Sequence, residues 1–170
     1  MMLAKDRLVK CCLTDGSIMK DYTSMLYDSE THTDIPAELW DIIGPNGQGG
    51  NQINDIAATS DYRWLFAACG RGWWAIFDLQ QDKCVSRKHC TPDQSGQLSG
   101  PTSLAVSSDD QLLYMVTDGG TVESYDIQAK KAAEIKSIPN QFFKKITIDP
   151  KNQFVFIASE SGNLYKYDTG

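Results

Sequence analysis

The chain contains an internal repeat, and this repeat restricts its possible folds more than any other feature. Four segments of 16 residues align without a gap, at residues 7–22, 63–78, 111–126 and 153–168. Each segment has an apolar run of about six residues, a short polar turn that ends in glycine, and a second apolar run. The turn glycines, 56, 48 and 42 residues apart, are Gly16, Gly72, Gly120 and Gly162. We therefore expect an array of similar structural units.

Each repeat predicts a β-hairpin. The runs are short and rich in β-branched and aromatic residues, which favours strands over helices. Glycine at the turn allows the positive φ that tight hairpins need. A third strand is predicted ahead of the last three hairpins, over residues 53–59, 102–107 and 144–149, each followed by turn-forming residues. A more polar fourth strand is predicted over 83–88 and 131–136, where lysines suit the edge of a sheet.

Four antiparallel strands that recur every 42 to 56 residues, with polarity rising from the inner to the outer strand, describe the blade of a β-propeller. The units resemble the blades of WD-repeat proteins, and the third and fourth also resemble YVTN-type propeller repeats. Residues 108–114, 118–122, 125–126 and 162–168 carry this resemblance, with Tyr-Asp or Phe-Asp where the family has Trp-Asp. The resemblance covers residues 5–27 and 51–170, and it implies an all-β propeller.

The strand count predicts an incomplete ring. About 14 strands make three and a half blades, whereas the rings that the units resemble have six to eight. The predicted organisation is a partial first blade (1–28), an irregular insert (29–51), a second blade (52–88), a polar loop (89–100), a third blade (101–138) and a partial fourth blade (139–170). The chain could be part of a larger protein, share a ring with a second chain or copy, or close on itself by pairing its two incomplete blades.

Composition narrows the class of protein. The net charge of −6 and the 41% hydrophobic content are ordinary for a soluble domain, and the acidic balance argues against a nucleic-acid partner. No apolar run approaches a membrane span, and charges interrupt residues 1–12, so we expect no signal peptide. Five cysteines, an odd number, suit a reducing compartment. We expect a cytoplasmic protein with no metal, cofactor or small-molecule ligand; Cys84, His89 and Cys90 lack a second ligand pair for zinc.

One tryptophan breaks the pattern of the repeat. Trp74 aligns with apolar residues and is predicted to be core. Trp73 aligns with polar residues, and a tryptophan at such a position beside Arg71 is typical of a binding hot spot. The alternative is that Trp73 packs beneath the 29–51 insert. The polar residues that align with Trp73 are Ser17, Thr121 and Asn163.

The resemblance also implies where the hairpin turns lie. In WD-repeat propellers these turns share one face of the disc, so matching positions in the four repeats are expected on that face. We predict this face as the partner-binding site. Its candidate residues are Asp15, Arg71, Trp73, Asp118 and Glu160.

These features predict a non-catalytic protein-interaction scaffold that acts as a subunit of a larger assembly. Its expected partners are other protein subunits, including whatever completes the propeller. No catalytic residue is predicted, because His32 and His89 both fall in predicted loops without a recognisable nucleophile context. The alternative is a lactonase-like propeller enzyme, which convergent acids around a deep axial pocket would favour. A third possibility is a structural piece that coats a filament or complex.

Overall fold

The structure, a computed structural model, describes residues 9–11, 18–21, 53–70, 72–92 and 99–169. All thirteen elements in these ranges are β-strands, which confirms the predicted all-β class. No helix in this described part of the chain has the length and apolar character needed to cross a bilayer. The strands are β1 (Val9–Cys11), β2 (Ile18–Asp21), β3 (Ile53–Ala58), β4 (Trp64–Cys69), β5 (Trp73–Asp78), β6 (Lys83–His89), β7 (Pro101–Val106), β8 (Leu112–Thr117), β9 (Thr121–Asp126), β10 (Lys131–Ser137), β11 (Phe143–Ile148), β12 (Phe154–Ser159) and β13 (Leu164–Asp168).

The strands form four antiparallel sheets in chain order. Sheet 1 is β1–β2, sheet 2 is β3–β6, sheet 3 is β7–β10 and sheet 4 is β11–β13. The four predicted hairpins are confirmed as β1–β2, β4–β5, β8–β9 and β12–β13. The first strands of sheets 2, 3 and 4 lie side by side in that order, as the inner strands of a partial propeller do. Most of the predicted partial first blade (1–28) and the predicted insert (29–51) lie outside the described residues.

Glycine closes three of these hairpins in the left-handed backbone region, as predicted. The φ angle is +85° at Gly72, +79° at Gly120 and +83° at Gly162. A side chain at Gly120 would also collide with backbone, because an added Cβ would clash with the Ile138 carbonyl oxygen and lie 2.7 Å from that of Gln141. At Gly162 no atom lies within 4 Å of that position. The same turn is therefore crowded in sheet 3 and open in sheet 4.

The aspartate that ends the repeat also has a local role. Asp78 Oδ1 accepts hydrogen bonds from the backbone N–H groups two and three residues ahead, both at 2.9 Å. Asp126 Oδ1 makes the same two contacts, at 2.9 and 2.7 Å. Such side-chain bonds stabilise the turn that follows. The aspartate therefore shapes the connection from the third strand to the fourth in sheets 2 and 3.

Two apolar interfaces hold sheets 2, 3 and 4 together. Between sheets 2 and 3, the Trp74 ring is 1% exposed and meets the Tyr125 ring edge-on, with centroids 4.9 Å apart. This confirms Trp74 as a core residue. Between sheets 3 and 4, Val116 and Val122 pack with residues of β11 and β12. The outward strands β6 and β10 form the sheet edges, as their lysines predicted.

Three kinds of hydrogen bond repeat at both interfaces. The first joins a side chain at the β-bulge of one inner strand to a carbonyl of the next inner strand. The second joins the following side chain to an N–H of the next inner strand, and the third joins the turns after these strands. In the first kind, Asn54 donates to the Pro101 carbonyl and Thr102 donates to the Phe143 carbonyl, both at 2.8 Å. In the second, the Leu104 N–H donates to Asp55 at 3.0 Å and the Ile146 N–H donates to Ser103 at 3.3 Å. In the third, the Ser60 N–H donates to Asp110 at 2.9 Å and the Ser108 N–H donates to Asn152 at 2.8 Å. Each sheet is thus fixed to the next by bonds in equivalent places.

Candidate functional site

The predicted partner face is described at two of its turns. Asp118 and Glu160 occupy matching positions after β8 and β12, and both are exposed. Asp118 Oδ1 accepts a 2.7 Å hydrogen bond from the Gly100 N–H, which ties the turn to the chain entering β7. Glu160 Oε1 lies 3.2 Å from Lys144 Nζ. Both acids can therefore meet a partner, although each is already engaged by its own sheet. Asp15 and Arg71 lie outside the described residues.

Trp73 lies in the core, in contrast to the contact residue that its alignment with polar positions suggested. Its side chain is 2% exposed and packs in a cluster with Cys69 and Phe77. The Arg87 guanidinium carbon lies 5.2 Å from the ring centroid. The aligned Thr121 is also fully buried, so this column of the repeat faces inward in sheets 2 and 3 whatever its polarity. A partner would not meet Trp73 at the surface of the described chain.

A groove runs between sheets 2 and 3, away from the predicted face. We call it the inter-sheet groove, and its volume is about 430 Å³. Its floor is apolar and comes from both sheets, with Phe66 and Ile76 from sheet 2 and Tyr125 from sheet 3. Trp64 and Val85 form its walls, and Val85 is 39% exposed. The groove has the size of a ligand-binding cleft, and apolar and polar side chains share its lining.

The rim of the inter-sheet groove is basic. Four cationic side chains line it, with one carboxylate, Asp78. The cations are Arg63, Lys83, Lys88 and Lys130. The Arg63 guanidinium carbon lies 5.0 Å from the Trp64 ring centroid, and Lys88 Nζ lies 5.7 Å from that of Tyr125. The groove therefore combines an apolar floor with excess positive charge, in a chain whose net charge is −6.

A polar cluster joins the inner strands of all three sheets. Asp55 Oδ2 accepts hydrogen bonds from Ser103 Oγ at 2.6 Å and Lys145 Nζ at 2.8 Å, besides the Leu104 N–H. Burial alone would raise the pKa of Asp55, but the bonds from Lys145, Ser103 and Leu104 outweigh burial and lower it. The ionised carboxylate of Asp55 in sheet 2 therefore bonds to residues of both sheet 3 and sheet 4, and it links the three sheets. It does not resemble the convergent acids that a lactonase-like site would require.

The cysteine and histidine side chains of sheet 2 are inward or tied to backbone. Cys69, Cys84 and Cys90 are free, buried thiols. His89 Nδ1 lies 3.2 Å from the Gly72 carbonyl oxygen, to which it donates; burial lowers the pKa of His89, and this hydrogen bond partly opposes the shift. Within the described ranges, no group of three potential ligands forms a metal site.

The inter-sheet groove was not predicted from the sequence. Its residues come from four separate stretches, and only the packing of β9 against sheet 2 brings Tyr125 to the floor. A signal was present nonetheless, because Arg63 begins the second repeat, Lys83 follows that repeat and Lys130 follows the third. An alignment that marked these basic positions beside the predicted turns would have placed them at one end of their sheets.

Comparisons with known proteins identify the fold. No protein-family model and no curated protein sequence matches the chain. Among solved structures, the WD40 repeats of RRP9 and the structure of U3-55K are similar to it, each with a TM-score of 0.62 and 12% sequence identity. Each match covers 73% of this chain and 37% of the other chain. The chain thus spans well under half the length of these structures.

The chain therefore has the fold of a partial WD40-type propeller, and the predicted resemblance to WD-repeat blades is confirmed. At 12% identity the likeness concerns the fold alone.

Proposed function

We propose that the chain is a non-catalytic protein-interaction scaffold and a subunit of a larger assembly. The observation that supports this most directly is the exposure of apolar side chains on the face of sheet 4 that points away from sheet 3. Leu164 on this face is 74% exposed, and Phe154 and Phe156 beside it are only partly buried. The same positions in sheet 2 are Trp74, Trp64 and Phe66, and sheet 3 covers Trp74 and Phe66. Lys166 Nζ lies 3.5 Å from the Phe154 ring centroid, so the uncovered apolar part of this face centres on Leu164 and Phe156. An exposed apolar surface of this kind favours binding of a partner that covers it.

The polar groups of sheet 4 favour a partner surface that differs from another sheet of this repeat. Lys145 stands where Asp55 and Ser103 accept an N–H from the following sheet, and a lysine side chain has no acceptor. Pro150 stands where Ser60 and Ser108 donate, and proline has no N–H. Sheet 4 therefore cannot make two of the three repeated hydrogen bonds with a further sheet. We expect apolar contacts to dominate where a partner binds it.

The test is the mass in solution of the 170-residue chain, measured by light scattering. Without its partner, the exposed face of sheet 4 should drive self-association, so we expect a mass above that of the 18.9 kDa monomer. Leu164→Arg should restore the monomer, because it places a charge at the centre of the contact. Tyr62→Arg is the matched control, since Tyr62 is 76% exposed but lies in the β3–β4 turn.

A monomer that melts cooperatively, with a mass indifferent to Leu164→Arg, would mean that the array satisfies its own surfaces, and the proposal would fail. Loss of association in Tyr62→Arg as well would point to general aggregation and would equally contradict the assignment of this face.

A further inference from the structure

We propose that the inter-sheet groove binds an acidic segment of a partner protein, with an apolar side chain on the floor and flanking carboxylates on the basic rim. This inference names a class of partner for the scaffold, so it rests on the proposed function. The two are tested on separate surfaces, because no residue of the groove belongs to sheet 4.

The floor sets the apolar part of the ligand. Phe66, Ile76 and Tyr125 are 0%, 6% and 1% exposed, so they form a closely packed base, and most of the accessible apolar surface comes from Trp64, Val85 and Ile127 around it. Val85 and Ile127 extend this apolar surface upward on opposite sheets. A volume of about 430 Å³ holds one or two side chains and the backbone between them. The groove therefore fits an extended segment that inserts an aliphatic residue.

The rim sets the charge of the ligand. Arg63, Lys83 and Lys130 are exposed, and none has an ion-pair partner within the part of the chain that the structure describes. The single acid, Asp78, is buried, and its Oδ1 already accepts two backbone N–H groups. Positive charges therefore outnumber negative charges in the lining of the groove, and carboxylates flanking the inserted residue would complement them.

The aromatic rings favour a peptide over a nucleic acid. Single-stranded nucleic acids bind largely by stacking bases on open aromatic faces. Here the Arg63 guanidinium lies over Trp64, while Lys88 and the Trp74 ring both contact Tyr125. Phe66 is fully buried. Because these rings are already engaged, the groove offers apolar edges and cations, which match an aliphatic side chain beside carboxylates.

The test uses the 170-residue chain and a fluorescein-labelled peptide of alternating glutamate and leucine, followed by fluorescence anisotropy. We expect binding that weakens at least about fivefold when salt is raised to about 0.5 M, because exposed charges are screened. The double variant Lys83→Glu/Lys130→Glu should lower affinity about tenfold. Lys131→Glu is the matched control, since Lys131 is exposed beside Lys130 but does not line the groove, and it should change affinity less than about twofold.

A second variant locates the site without altering charge. Val85→Trp fills the groove from an exposed wall position, so it should abolish peptide binding while the melting curve stays native. Equal affinity for a lysine–leucine peptide would overturn the proposal, as would unchanged affinity in both groove variants. Displacement of the peptide by oligouridylate at lower concentration would overturn it in favour of a nucleic-acid site.

The two proposals can fail independently. In the Leu164→Arg variant the groove is intact, so the monomer should bind the glutamate–leucine peptide as the parent chain does. If association is lost as expected but no peptide binds, the groove proposal alone fails. If the peptide binds but the chain is an indifferent monomer, the assembly proposal alone fails.

Discussion

Two glycines of the repeat form a matched pair that separates backbone strain from steric collision. Gly120 and Gly162 occupy the same hairpin position with φ of +79° and +83°. Alanine at either site must adopt a left-handed backbone, which costs about 1–2 kcal/mol. Only at Gly120 would the new methyl group meet backbone, the carbonyl oxygens of Ile138 and Gln141. Backbone cannot rotate away as a side chain can, so overpacking adds about 1–3 kcal/mol.

We therefore expect Gly162→Ala to lower the free energy of unfolding by about 1–2 kcal/mol and Gly120→Ala to lower it by about 2–5 kcal/mol. Urea denaturation followed by tryptophan fluorescence measures both. With a slope of about 2 kcal/mol per molar, the midpoint should fall by about 0.5–1 M for Gly162→Ala and by about 1–2.5 M for Gly120→Ala. Equal midpoint shifts with equal slopes would refute the reasoning, because they would show that the 138–141 backbone yields without cost.

Three further predictions concern the sheet connections and the buried thiols. Asp55→Asn should lower the free energy of unfolding by about 1–2 kcal/mol, since it removes the ion pair with Lys145. Folding lowers the pKa of Asp55, so the contribution of this carboxylate to stability is complete above its unfolded pKa of about 3.9 and is lost as pH falls through the lowered value. In Asp55→Asn the melting temperature should therefore fall less on acidification than in the parent chain. An unchanged pH profile would contradict this. Tyr62→Asn should raise the melting temperature by about 2–4 °C, because Tyr62 has a φ of +56° that asparagine tolerates better; calorimetry showing a decrease would count against strain at this turn. Burial raises the pKa of the Cys69 and Cys90 thiols, so peptide mapping should find them alkylated by iodoacetamide only after unfolding, and rapid labelling of the native chain would show that they are accessible.

The sequence was sufficient to predict the hairpins, but it was not sufficient to predict which equivalent positions of the repeats are buried. Apolar runs and turn glycines repeat within each unit, and such local signals are enough to place strands and positive φ values. Whether a position faces a neighbouring sheet depends on packing between units. Trp73 shows this, because its aligned positions are polar, yet Thr121 in that column is fully buried and Asn163 is exposed. The polarity of the residues aligned with Trp73 therefore did not indicate whether that position is exposed.

The inter-sheet groove shows the same limit at a site. Predicting it requires the face of β9 that turns toward sheet 2, and the repeat alone does not specify that face. Asp55 is a second example. A single acid in an inner strand belongs to no recognisable sequence motif. The role of Asp55 depends on its ion pair with Lys145, which lies 90 residues away in the chain. Contacts of this kind depend on the radial order of the sheets, which periodicity within one unit leaves open.

The spacing of the sheet-to-sheet hydrogen bonds has a consequence for synthesis. These bonds join residues 41 to 50 positions apart, so a sheet that has left the ribosome waits for about one more unit before its neighbour arrives. At elongation rates of about 5–20 residues per second, the wait is about 2–10 s, during which the apolar face is open to chaperones and to other chains. Lys145 reaches back across two sheets to Asp55 and can engage it only once all three are made. That ion pair spans 90 residues, so it has the longest wait of these connections, although the turn bond to Asn152 follows it and the apolar face of sheet 4 stays open.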